Sequence, residues 1–104
     1  MKRIINGRSY NTETATLVAE YDSPHGCTDF HHYSEGLYRT RKGSWFLSGE
    51  GGPMSKYSRP LGSNSWGGGD GLEVLTAEEA MRWLEEHDFT DELEEHFSDQ
   101  IEEA

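Results

Sequence analysis

The sequence predicts a small α+β protein, and three observations predict it. Asn6-Gly7 and Lys42-Gly43 each stand between short runs rich in aromatic and aliphatic residues, the pattern of two β-hairpins. Thr76-Ala77-Glu78-Glu79 has the spacing of a capping box, in which the threonine caps a helix and the glutamate three residues on reaches back to it. A chain of 104 residues is long enough for one modest core without disulfides or a metal. The expected architecture is a small antiparallel sheet built from the two hairpins, one helix packed on it, and two acidic amphipathic C-terminal helices.

Taken in order, Lys2–Asn11 (KRIINGRSYN) forms the first hairpin, because a type I′ turn needs positive φ at both central residues and Asn-Gly supplies it. Thr12 then reads as the cap of a helix reaching about Tyr21, with Ala15, Val18, Ala19 and Tyr21 as its buried stripe and Glu13 in the first turn. Ser23-Pro24 ends it, since the residue before proline avoids α geometry. Strand structure resumes near Asp29 and runs to Arg41, with Gly36 marking a bulge or break. The central hairpin, Leu37–Gly52, is the stretch around which the chain is organised.

Gly49–Gly71 has loop composition, with clustered glycine and serine, Pro53 and Pro60, and two rings, Tyr57 and Trp66, expected to pin it to the body. Leu72–Leu75 is a short strand. The capped helix runs to about His87 on Ala77, Ala80, Met81 and Leu84, and a second starts at Thr90 with Leu93, Phe97 and Ile101 at intervals of four. As a single domain the chain divides into a hairpin–helix–hairpin body over 1–60, a glycine-rich loop and short strand over 61–75, and an acidic helical end over 76–104. Ile4, Val18, Phe30, Trp45, Leu47, Met81, Leu84 and Phe97 form the expected core.

The net charge of −11 is unevenly placed. Residues 1–60 carry eight Lys/Arg against six acids, whereas residues 61–104 carry fourteen acids and a single base, Arg82. An acidic surface of that kind either keeps the protein in solution or meets a basic partner, including one that normally holds nucleic acid. One cysteine, Cys27, leaves no intramolecular disulfide to form and suits a reducing compartment. No apolar run is long enough to span a membrane, so the expected location is the cytoplasm.

Four stretches could carry chemistry. His25, Cys27, Asp29, His31 and His32 are ligand-type residues, but their spacing fits no common zinc framework, and neither a metal nor another cofactor is expected. His25, His31 and His32 are the weak candidates for acid–base cleavage of RNA, with Arg39, Arg41 or Lys42 to stabilise a phosphate. Gly49–Lys56 resembles a phosphate loop but lacks Gly-Lys-Ser/Thr directly before a helix. Arg39, Arg41 and Lys42, with Tyr38 and Trp45, form a small candidate nucleic-acid patch that the overall charge opposes. Neither Ser44 nor Cys27 has a base assigned to it, and His87 and His96 read as exposed residues among acids.

Four segments together carry a resemblance over most of the chain: IINGRSYNTETATLVAEY, EGLYRTRKGSWFLSGEGGPMSKYS, NSWGGGDGLEVLTAEEA and the acidic end. They resemble a family of proteins of about this length borne by plasmids, phages and other bacterial mobile elements. One such protein is an anti-CRISPR that blocks guide-RNA loading in type II systems. The resemblance implies a non-enzymatic inhibitor whose partner is a bacterial CRISPR effector nuclease, with no residue-level motif to carry over. Charge complementarity then nominates Glu78, Glu79, Glu85, Glu86, Glu94 and Glu95 against that nuclease's basic channel, with Arg39, Arg41 and Lys42 as further contact residues. The alternatives are a ribonuclease or guide-RNA-truncating factor using the histidines, and a mobile-element binding protein with an unrelated partner.

Overall fold

The computed structural model describes residues 1–24, 30–62 and 65–103. It is of the α+β class. The centre is a four-stranded antiparallel sheet of β3 (Thr16–Asp22), β4 (Tyr33–Arg39), β5 (Trp45–Gly51) and β8 (Gly69–Leu75), hydrogen-bonded in that order. Two small ribbons stand apart from it: β1 (Lys2–Ile5) with β2 (Arg8–Asn11), and β6 (Arg59–Gly62) with β7 (Ser65–Gly67). Helices α1 (Ala77–Glu86) and α2 (Thr90–Phe97) follow the last strand, and a short 3₁₀ turn, Ser98–Gln100, follows α2. No helix among the described residues is long and apolar enough to cross a membrane.

The first hairpin turns as its residues require, with Asn6 at φ 52° and Gly7 at φ 75°. The helix expected over Thr12–Tyr21 is a strand instead. Asn11, not Thr12, organises a single turn: its side-chain oxygen accepts from the Glu13 N–H at 2.9 Å, and its carbonyl accepts from the Ala15 N–H at 3.0 Å. The chain then extends into β3, where Leu17 pairs with Tyr38 and Ala19 with Leu37, leaving Val18 as the extra residue of a bulge. A bulge puts neighbouring residues on one face, so Val18 and Ala19 both reach the core with Tyr21. That spacing imitates a helical stripe.

Gly36 carries no break, because β4 pairs with β5 without interruption from Tyr33↔Gly51 to Arg39↔Trp45. The glycine serves the outer face of the sheet, where a Cβ would stand 2.9 Å from the Tyr38 ring and 3.2 Å from Leu17. Much of the expected loop between Gly49 and Gly71 is likewise strand, and the candidate strand Leu72–Leu75 starts three residues earlier, at Gly69.

The two faces of the sheet are covered differently. On the inner face Ala19, Leu37, Trp45, Leu47 and Leu75 pack with Ala80, Trp83 and Leu84 of α1 and Phe97 of α2. On the outer face Phe46, fully buried, is flanked by the stacked ring of Tyr38 at 5.2 Å and the edge of Tyr10 at 5.6 Å, which brings the first hairpin onto the sheet. Of the expected core, Trp45, Leu47, Leu84 and Phe97 are buried, and Val18 and Met81 pack half-buried at its edge. Ile4 and Phe30 are instead 69% and 63% exposed. Ile4 stands on a ribbon that lies outside the main sheet, and Phe30 precedes β4.

Candidate functional site

The helices set one candidate surface. Thr76 caps α1 in the full capping box: its hydroxyl accepts from the Glu79 N–H at 3.1 Å, and Glu79 Oε1 accepts from the Thr76 N–H at 2.9 Å. With Ala80, Trp83 and Leu84 turned to the sheet, Glu78, Glu79, Glu85 and Glu86 are exposed. On α2, Phe97 is buried while Glu94 and Glu95 are exposed. Arg82, exposed on α1, lies 3.5 Å from Glu78. Six carboxylates thus stand on elements whose other faces are locked in the core, a geometry that fixes where the charge points.

Further carboxylates come from the strands, three of them from residues 1–60, where bases outnumber acids. Glu20, Asp22, Glu50 and Asp70 line an open groove of ≈ 280 Å³ on the outer face of the sheet, together with Ser34 and Ser48. Strand alternation and the bulge in β3 collect them there, and neither is visible in a charge count.

A third cluster is buried. Glu35, on the inner face of β4, has a side chain only 1% exposed and holds three donors: Lys56 Nζ at 2.6 Å, the Tyr57 hydroxyl, and Trp83 Nε1 at 3.3 Å. Burial alone would raise its pKa, but the hydrogen bonds from Lys56, Tyr57 and Trp83 outweigh it and hold the carboxyl below its ordinary value. Burial, and then the hydrogen bond to this carboxylate, push the Tyr57 hydroxyl well above the usual range, so it remains a donor. The strap that delivers Lys56 and Tyr57 lies over a glycine floor. A Cβ at Gly49 would overlap the hydroxyl end of Tyr57, one at Gly51 would overlap Ser55 Oγ, and one at Gly52 would stand 2.6 Å from the Phe30 carbonyl. Gly49-Glu50-Gly51-Gly52 is therefore shaped for close packing of this strap.

The cations separate into two groups. Arg39 lies over the Trp45 ring at 5.2 Å and beside His96 Nδ1 at 3.5 Å. Trp45 is buried and Tyr38 is stacked on Phe46, so the rings expected to stack on bases are engaged within the fold. Arg41 and Lys42 instead meet Arg8 of the first hairpin around a groove of ≈ 590 Å³.

Among the described residues, His31 and His32 are not brought beside Arg39. His31 and His32 precede β4 while Arg39 ends it, and at about 3.3 Å per residue the strand sets His32 and Arg39 roughly 20 Å apart. His25, Cys27 and Asp29 lie outside the described residues. His87 and His96, expected to be exposed, are packed: the His87 ring lies 3.9 Å from that of Tyr21, with Nδ1 2.8 Å from the Trp83 carbonyl, and the His96 ring lies 5.5 Å from Trp45. Among the described residues no group of three or more His, Cys, Asp or Glu could hold a metal ion.

Fold and surface together define a small α+β protein with exposed carboxylates on its helices and on the outer face of its sheet. No protein-family model, no curated protein and no solved structure matches the chain.

Proposed function

We propose that the protein is a non-enzymatic inhibitor in the manner of an anti-CRISPR, binding an RNA-guided nuclease of bacterial defence and occupying the basic surface that receives its guide RNA. Its setting is the cytoplasm of a bacterial host that carries the mobile element. The observation that supports this reading is the exposure of Glu78, Glu79, Glu85, Glu86, Glu94 and Glu95 on helices whose apolar sides are fixed in the core. A guide-binding channel recognises a polyanion through Lys and Arg. A rigid acidic surface complements such a channel, and long-range attraction speeds the encounter.

Order of addition to a type II nuclease tests the proposal. The expected result is loss of target cleavage when the protein precedes the guide RNA, little loss when it follows, and intact guide RNA on a denaturing gel. Reversal of Glu85, Glu86, Glu94 and Glu95 to lysine should weaken complex formation by on the order of tenfold or more, and salt should weaken it steeply. Complexes that persist unchanged through both treatments refute occlusion by the acidic helices. Shortened guide RNA would refute the non-enzymatic reading and turn attention to the histidines.

A further inference from the structure

We propose that the groove between the first hairpin and the β4–β5 turn binds the sugar–phosphate backbone of a nucleic-acid strand, a site separate from the acidic helices. Three of the chain's nine Lys/Arg residues, Arg8, Arg41 and Lys42, line this groove of ≈ 590 Å³, and among the described residues no carboxylate does, although acids outnumber bases twenty to nine overall. Hydroxyl and amide groups of Asn11, Thr14 and Ser44 complete the wall, the complement that phosphate and sugar oxygens need.

The fold brings these groups together from two separate segments of the sequence, 7–14 and 40–44. Tyr10 seats the hairpin on Phe46, and Gly43, at φ 90°, closes the turn that presents Arg41 and Lys42. Asn11 is fixed by the bond from the Glu13 N–H to its side-chain oxygen, and the Ser44 N–H is held by Thr40 Oγ1 at 3.0 Å. All three cations are exposed.

One carboxylate flanks the groove, since Glu13, exposed, stands between the wall residues Asn11 and Thr14, and further acids stand on the outer face. Glu50, in the acidic groove on the outer face, is six residues from Ser44 along β5, roughly 20 Å at about 3.3 Å per residue. That exceeds the Debye length of about 8 Å at physiological salt, so at the turn end of the groove Arg41 and Lys42 are screened from the outer-face acids. The lining offers no exposed ring for a base to stack on, since Tyr10 is buried. The contacts therefore read phosphate without reading sequence.

The test uses the protein alone, with no nuclease present, so its outcome is independent of the reading of the helices. Fluorescence anisotropy of labelled single-stranded 20-nucleotide RNA and DNA probes of mixed sequence is followed in low salt. Both should bind, and neutralising about three phosphates should weaken binding roughly twenty-fold between 50 and 200 mM salt. Joint replacement Arg8→Ala, Arg41→Ala and Lys42→Ala should cost on the order of tenfold or more, with the circular dichroism spectrum unchanged. Thr14→Asp, which adds a carboxylate to the exposed wall and removes no cation, should act in the same direction. No binding at 50 mM salt, binding that both variants leave intact, or full displacement of the probes by equimolar inorganic phosphate would each overturn the proposal, the last by showing a small-anion site.

Discussion

At the scale of single residues, the densest chemistry in the molecule is spent on structure. Glu35 is a buried anion satisfied by Lys56, Tyr57 and Trp83. Removing one member of such a set leaves the others unpaired, so Glu35→Ala should cost on the order of 3–5 kcal/mol in chemical denaturation. The pH dependence has a definite sign. The folded-state pKa lies below the ordinary value of 4.5, so the carboxylate's contribution is fully present above about pH 4.5 and is lost as pH falls through the lower, folded-state value. Thermal midpoints from pH 7 to pH 3 should therefore fall less for Glu35→Gln than for the wild type. An equal fall in both would show that this carboxyl does not drive acid sensitivity. Nothing about Glu35 in the sequence announces it: one acid in a strand reads as a surface residue, and its partners come from the strap and from α1.

At the scale of elements, local chemistry was legible wherever the chain answers to its nearest neighbours. Asn6-Gly7 and the capping box both turn as their residues demand. What failed was periodicity across the bulge in β3, where an extra residue gave a strand the inward spacing of a helix. The α1–α2 junction shows a local compromise. The Asp88 N–H donates to the Glu85 carbonyl at 3.3 Å and the Phe89 N–H to the Leu84 carbonyl at 3.0 Å, a Schellman ending whose left-handed position, φ 60°, is held by aspartate. Glycine adopts that conformation without strain, whereas the aspartate carboxylate stands between the C-terminus of α1, which disfavours it, and the N-terminus of α2, which favours it, so backbone strain is the net difference. Asp88→Gly should accordingly raise stability by roughly 0.5–1 kcal/mol, read as a higher urea midpoint at unchanged slope. A lower midpoint would mean that the aspartate makes a contact worth more than the strain.

At the scale of the whole molecule, composition gave the correct sum and the wrong map. The acidic end is exposed on the helices, but Glu20, Asp22, Glu50 and Asp70 form a second acidic region on the outer face of the sheet. Arg41 and Lys42 were legible as a basic turn, whereas the arrival of Arg8 beside them was not, because only tertiary packing of the first hairpin brings it there. Separate surfaces should be separable by mutation. The Arg8/Arg41/Lys42 alanine variant is expected to lose strand binding, and the lysine variant of the helices to lose the nuclease complex while keeping strand binding. Parallel pull-downs with labelled RNA and with RNA-free nuclease measure both, and joint loss in either variant would show one continuous interface.

The cluster around Glu35 also sets an order of events during folding. Its donors lie 21 to 48 residues away in sequence: Lys56 and Tyr57 arrive once β5 has paired with β4, and Trp83 only when α1 docks. Until strap and helix are both seated the carboxylate stays hydrated, so Glu35→Gln is expected to speed unfolding more than it slows refolding in a denaturant chevron, and the reverse would place these bonds early. Interactions absent from the folding transition state act mainly on the rate of unfolding. The buried anion is thus a latch: it does little to hasten the chain toward its fold, and much to delay its departure.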